Sequence, residues 1–159
     1  MKPTLYLDSS VPSYWLPQGD DLVVHARHLL TLRWWDDELP RFDVFVSQVV
    51  LDEIAGGNPE RADLRFDLVK DFPLLDVDEE VERVARFYAQ NFAMPRRDLR
   101  DAFHLALASV HEIEYLVTWN FAHLANASKR THIDVLNRRL HLVSPVICSP
   151  DELMLEPDD

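Results

Sequence analysis

Short apolar runs that end in polar residues alternate along this chain with longer segments of helical spacing, and that alternation restricts what it can fold into. Thr4-Leu5-Tyr6-Leu7-Asp8 is one such run, closing on an acid and two serines, Ser9 and Ser10. Phe42-Asp43-Val44-Phe45-Val46-Ser47 and Glu114-Tyr115-Leu116-Val117-Thr118 are two more. Leu74-Leu75-Asp76-Val77 is a shorter one, and Val143 to Cys148 reads as extended chain with Pro145 at an edge or break. Between the first two, Leu22, His25/Ala26, Leu29, Leu30 and Trp34 recur at helical spacing, predicting an amphipathic helix over Asp21 to Asp37 that Pro40 stops. Pro12 and Pro17 bound a loop after the first run. Ser47 is placed to N-cap a short helix through Ile54, ended by Gly56-Gly57. Further helices are expected over Pro59 to Phe72, Asp78 to Asn91, Leu99 to His111 with Asp98 as its cap, and Ile133 to Arg139, with a helical turn near Ala122 to Ala127. Strands separated by helices predict an α/β fold, a mainly parallel sheet with helices on both faces.

At 159 residues and 47% apolar composition the chain suits one compact domain. It carries no repeat, low-complexity tract or Gly/Ser linker, so residues 1–155 are expected to form a single domain and 156–159 a disordered tail. The opening Met1 to Asp8 lacks the long apolar core of a signal peptide, and no stretch approaches the roughly 20 apolar residues of a membrane span. One cysteine, Cys148, cannot form an internal disulfide, which fits a reducing compartment. A soluble cytoplasmic protein with no membrane partner is expected. The net charge of -12 argues against a general nucleic-acid binder but not against an enzyme that gathers carboxylates around a cation.

In parallel sheets, sites form beyond the carboxyl ends of strands. Asp8 ends the first strand, Glu53 sits on the helix after the second, Asp101 in the first turn of the helix leading to the strand at 114–118, and Asn120 just past that strand. All four can meet at one sheet edge. Such oxygen-rich clusters hold Mg²⁺ or Mn²⁺, and without a cation one carboxylate is expected to take up a proton. Singly, each acid also has a plain reading: Asp8 as a strand-end turn, Glu53 as solvated helix surface beside Asp52, Asp101 as a helix-dipole partner.

The segments around these residues resemble the PIN-domain family. Leu5-Tyr6-Leu7-Asp8-Ser9-Ser10 is similar to its opening strand and Asp-(Thr/Ser)-Ser motif. Ser47-Gln48-Val49-Val50-Leu51-Asp52-Glu53-Ile54 resembles its second acidic motif, and Asp101-Ala102-Phe103-His104-Leu105-Ala106 its third. Leu116-Val117-Thr118-Trp119-Asn120 matches the fourth, with Asn120 where many relatives have an acid. The resemblance implies a three-layer α/β/α fold and cleavage of single-stranded or loop RNA with Mg²⁺ or Mn²⁺. It implies Asp8, Glu53 and Asp101 as metal ligands, Ser10 as a residue that orients the acids by hydrogen bonding, and Asn120 as a partner of metal-bound water or the occupant of the fourth acidic position. Many relatives are VapC-like toxins of type II toxin–antitoxin pairs, so a cognate antitoxin is among the partners it implies. A homodimer is expected on the same ground and on the apolar Trp-bearing helix. The alternative is a catalytically weak PIN-like domain that binds a partner or RNA.

Arg96, Arg97 and Arg100 precede Asp101 and are either an RNA-binding rim or pairs for Asp98 and Asp101; Lys129, Arg130, Arg138 and Arg139 form a second patch. His104, one helical turn after Asp101, either faces the site or, between Phe103 and Leu105, is a core histidine with a satisfied ring nitrogen; His123 reads as surface or a phosphate contact, and Trp34-Trp35 as core or interface rather than a base platform. A phosphoacceptor role for Asp8 would expect a lysine at a late strand end; the last lysine, Lys129, is not beside one.

Overall fold

A computed structural model of the protein describes residues 1–91, 93–94 and 98–155. The expected tail at 156–159, and Arg96 and Arg97 of the expected basic rim, lie outside the described residues. The elements run β1 (Thr4–Leu7), α1 (Ser10–Trp15), α2 (Leu22–Asp37), β2 (Asp43–Ser47), α3 (Gln48–Ile54), α4 (Pro59–Val69), β3 (Leu74–Leu75), α5 (Glu79–Gln90), α6 (Arg100–Val110), β4 (Tyr115–Val117), α7 (Ala127–Arg139) and β5 (Val146–Cys148). The strands form one sheet in the order β3-β2-β1-β4-β5, every pairing parallel. This is the expected three-layer α/β/α architecture.

β1 lies at the centre because both its faces are apolar. Leu5, Tyr6 and Leu7 are all fully buried, as a strand covered by helices on both sides requires. From β1 the chain steps outward to β2 and β3, then returns past β1 to β4 and β5. The right-handed rule for such crossovers sets α1–α4 on one face and α5–α7 on the other. The contacts follow it: α1 packs on α2 and α4, and α5 on α6. On the second face, the buried Tyr88 hydroxyl of α5 donates to Asn137 Oδ1 of α7 and lies 3.2 Å from Ser109 Oγ of α6, pinning three helices through one hydroxyl. The order reverses between β1 and β4, which opens the crevice beyond their carboxyl ends where α/β proteins bind ligands.

Five local expectations are corrected. The loop placed between Pro12 and Pro17 is largely taken up by the helix α1, which begins at Ser10; Pro12 is tolerated because a first-turn residue has no intrahelical acceptor to lose. The apolar stripe of α2 is rotated from its expected phase. Leu22 is 80% exposed and Leu29 is exposed too, while Thr31 and Trp34 are buried. Ser47 does stand at the N-cap of α3, but its side chain does not cap; its hydroxyl instead meets Tyr6. The cap position of α6 is Leu99, not Asp98, although Asp98 Oδ1 accepts the Arg100 N–H at 3.0 Å. α7 also begins six residues earlier than expected, with Asn126 capping Ser128 N. Among the described residues no helix is long and apolar enough to cross a membrane.

Candidate active site

Asp8 follows directly on β1 and is 3% exposed. Burying a carboxylate is costly unless its oxygens are hydrogen-bonded, and here both are. Oδ1 accepts the Ser10 N–H at 3.0 Å and the Ser10 hydroxyl; Oδ2 accepts the Thr118 hydroxyl at 2.6 Å. The two hydroxyls are themselves held. Ser10 Oγ accepts the Trp119 N–H at 2.8 Å, and Thr118 Oγ1 the Asn120 N–H at 2.9 Å. Burial raises the Asp8 pKa and the Glu53 charge adds to the rise, against the opposing pull of His104, Ser10 and Thr118.

Glu53 is in the last turn of α3, and its Oε1 lies 2.5 Å from His104 Nε2. His104 is one turn beyond Asp101 on α6 and 1% exposed. Its Nδ1 lies 2.7 Å from the Tyr6 hydroxyl, which lies 2.8 Å from Ser47 Oγ. Nε2 must donate to the Glu53 carboxylate, so in neutral His104 the Nδ1 accepts from Tyr6; protonation reverses the bonds beyond it. Burial alone would lower the His104 pKa, but the bond to Glu53 and the charges of Asp8, Glu53 and Asp101 outweigh it and hold the value up. One buried imidazole thus feels all three acids.

Asp101 lies in the first turn of α6, and its Oδ2 accepts from His123 Nδ1 at 2.8 Å. Asn120 Oδ1 accepts the His123 N–H at 3.0 Å, bracing the turn that presents this histidine. Arg100 is turned to Asp98, with Nε at 2.9 and 3.0 Å from its two oxygens; that guanidinium holds the Asp98 carboxyl down at about 2.

The structure therefore draws Asp8, Ser10, Glu53, Asp101 and Asn120 to one end of the sheet around β1 and β4. Sequence reading missed how they are tied together. Thr118 stands in a quoted segment without having been assigned a role, and the histidines read as core and surface each hold an acid. An invariant of spacing could not have shown this, since the paired residues are 51 and 22 positions apart. The only available signal was a hydroxyl at the end of each central strand.

Asp8, Glu53 and Asp101 offer the hard oxygen donors that Mg²⁺ or Mn²⁺ prefers. In donor chemistry they fit. In arrangement, Glu53 and Asp101 each spend an oxygen on a histidine, and among the described residues no three His, Cys, Asp or Glu side chains are grouped to hold a metal. Residues 5–121 match the PIN domain family. The chain belongs to the PIN-domain family. PIN domains are generally nucleases and typically use divalent metal ions, so nuclease chemistry is the general expectation for this PIN domain. No curated protein matches the chain.

Proposed function

We propose that this PIN domain is a metal-dependent endoribonuclease that cuts single-stranded or loop RNA, as the toxin of a type II toxin–antitoxin pair. The observation that carries the reading is the buried Asp8 carboxylate at the reversal point of the sheet, with Glu53 bonded to His104 and Asp101 one turn before that histidine on α6. Asp8, Glu53 and Asp101 would hold the cation, Mg²⁺ or Mn²⁺, which when bound supplies Lewis-acid polarisation of a phosphodiester and a lowered pKa for water. The chain's own residues do the positioning. Ser10 and Thr118 fix both oxygens of Asp8, His104 holds Glu53, and His123 holds Asp101. Asn120, neutral where many relatives have an acid, braces His123 and stands ready to orient water. The exposed Leu22, Val23 and Leu29 of α2 support a protein partner there, a second copy or an antitoxin.

A second reading is favoured by the histidine-bound acids: a PIN fold that binds partner or RNA without cutting. One experiment separates them. The protein and its Asp8→Asn variant are incubated with tRNA, rRNA fragments and unstructured RNA in Mn²⁺, Mg²⁺ or EDTA. Metal-dependent cutting lost in the variant supports the nuclease. Cutting that survives both EDTA and the variant overturns the mechanism, and a folded protein that cuts nothing supports the binding module.

A further inference from the structure

Arg27 of α2 has a setting that the acid site does not use. Its guanidinium carbon lies 4.8 Å from the ring centre of Phe121, 5.7 Å from Trp119 and 5.8 Å from Tyr14. Nη1 reaches the Tyr14 hydroxyl at 3.4 Å, a long bond. Among the described residues no carboxylate pairs with it, although the chain carries 28 acidic residues against 16 basic ones. A cation left without an acid in so acidic a protein, and held instead on aromatic faces, keeps its charge for an outside anion.

The cluster is built rather than incidental. Trp119 Nε1 donates to Thr31 Oγ1 at 2.9 Å, and the Thr31 hydroxyl donates to the Arg27 carbonyl at 2.6 Å, so one buried threonine ties the indole to the turn that carries the arginine. The Trp119 ring stands 6.0 Å from both Tyr14 and Phe121, edge-on to the latter. Trp119 is 5% exposed and forms the back wall, whereas Phe121 is 39% exposed. The cluster also borders the acids: the Trp119 N–H donates to the Ser10 hydroxyl that holds Asp8, and only Asn120 separates Trp119 from Phe121.

We propose that Arg27 and Phe121 form a nucleotide subsite, in which Arg27 takes a backbone phosphate of single-stranded RNA and Phe121 stacks on an adjacent base. The fork of a guanidinium matches a phosphate, and an exposed ring accepts any base, which together give strand binding with little sequence preference. Trp34 offers no such platform, being fully buried, and Arg100 already faces Asp98. The subsite rests on the ribonuclease reading for its substrate class.

The test is fluorescence anisotropy with a labelled unstructured RNA oligonucleotide in EDTA, across a salt series, with cleavage in Mn²⁺ run in parallel. The variants are Phe121→Ala, Phe121→Trp and Arg27→Gln, each checked for folding by circular dichroism. Phe121→Ala should weaken binding by about tenfold and Phe121→Trp should restore it. Arg27→Gln should weaken binding and flatten the log–log salt slope by about 0.7. If Arg27→Gln does not fold, the two Phe121 variants decide, because Phe121 is exposed. Folded variants that bind like the parent, while the parent cuts RNA, overturn the subsite and leave the nuclease standing. The expected binding pattern without cutting keeps the subsite and removes the nuclease. A parent that neither binds nor cuts removes both.

Discussion

The Thr118 hydroxyl donates to Asp8 Oδ2 at 2.6 Å, joining the ends of the two strands that flank the reversal point of the sheet. Thr118→Val keeps the shape and removes both the donor to Asp8 and the acceptor for the Asn120 N–H. Buried groups left unpaired cost about 1 to 3 kcal/mol each, so urea unfolding should register a loss in that range. RNA cleavage should fall by about tenfold or more, because a loosened Asp8 no longer holds its geometry. Cleavage equal to the parent's would show that Asp8 needs no second anchor.

Asp8→Asn should abolish cleavage and leave the melting temperature unchanged or raised. An aspartate whose folded pKa lies above its unfolded value contributes stability below the unfolded value and loses it as pH rises through the folded one. For Asp8 the rise comes from burial and from Glu53, so at neutral pH the charged form is a net cost that the amide removes. Mn²⁺ should raise the melting temperature of the parent but not of the variant. A clear drop in the variant's melting temperature without metal would mean that the carboxylate charge stabilises the fold.

His104 runs in the same direction, as a cation. Its folded pKa is raised, so its contribution is fully present below the unfolded value of about 6.5 and is lost as pH rises through the folded value. The difference in unfolding free energy between the parent and His104→Gln should therefore shrink as the buffer is taken upward from pH 6. A difference that stays flat with pH would show that the imidazole acts only through packing.

Tyr88→Phe tests the pin between α5, α6 and α7. The hydroxyl is buried, its pKa is pushed up to about 12 chiefly by that burial, and it serves both Asn137 and Ser109. Removing it should cost about 1 to 3 kcal/mol in chemical denaturation while RNA cleavage per folded molecule stays the same. A matching loss of activity would tie this far face to the site.

The central strands were legible because an interior parallel strand must be apolar on both faces, and Leu5 to Leu7 can be little else. The end of that strand named Asp8, and the rule about carboxyl ends gathered Glu53, Asp101 and Asn120. α1 was hidden by Pro12, which reads as a break unless the helix is known to start there. The face of α2 was misjudged because its neighbours are Tyr14 and Trp119, which receive Arg27, His28 and Thr31 rather than leucines. No scale of hydrophobicity turns those residues inward. The grip of His104 on Glu53 and of His123 on Asp101 was illegible for another reason: each is a contact between distant segments, fixed by the docking of α6 against α3 and of the turn after β4 against α6.

The reversal of the sheet about β1 also sets an order in time. A chain leaving the ribosome carries Asp8 and Glu53 well before Asp101, His104 and Thr118. β1 can pair with β2 early, but its other edge waits for β4, whose residues lie 110 positions further on. Closing so long a loop is slow and comes late. Until it closes, Asp8 has one anchor instead of two and Glu53 has no histidine to lean on. Under the ribonuclease reading proposed above, the edge that would cut RNA is the last part of the fold to be put together.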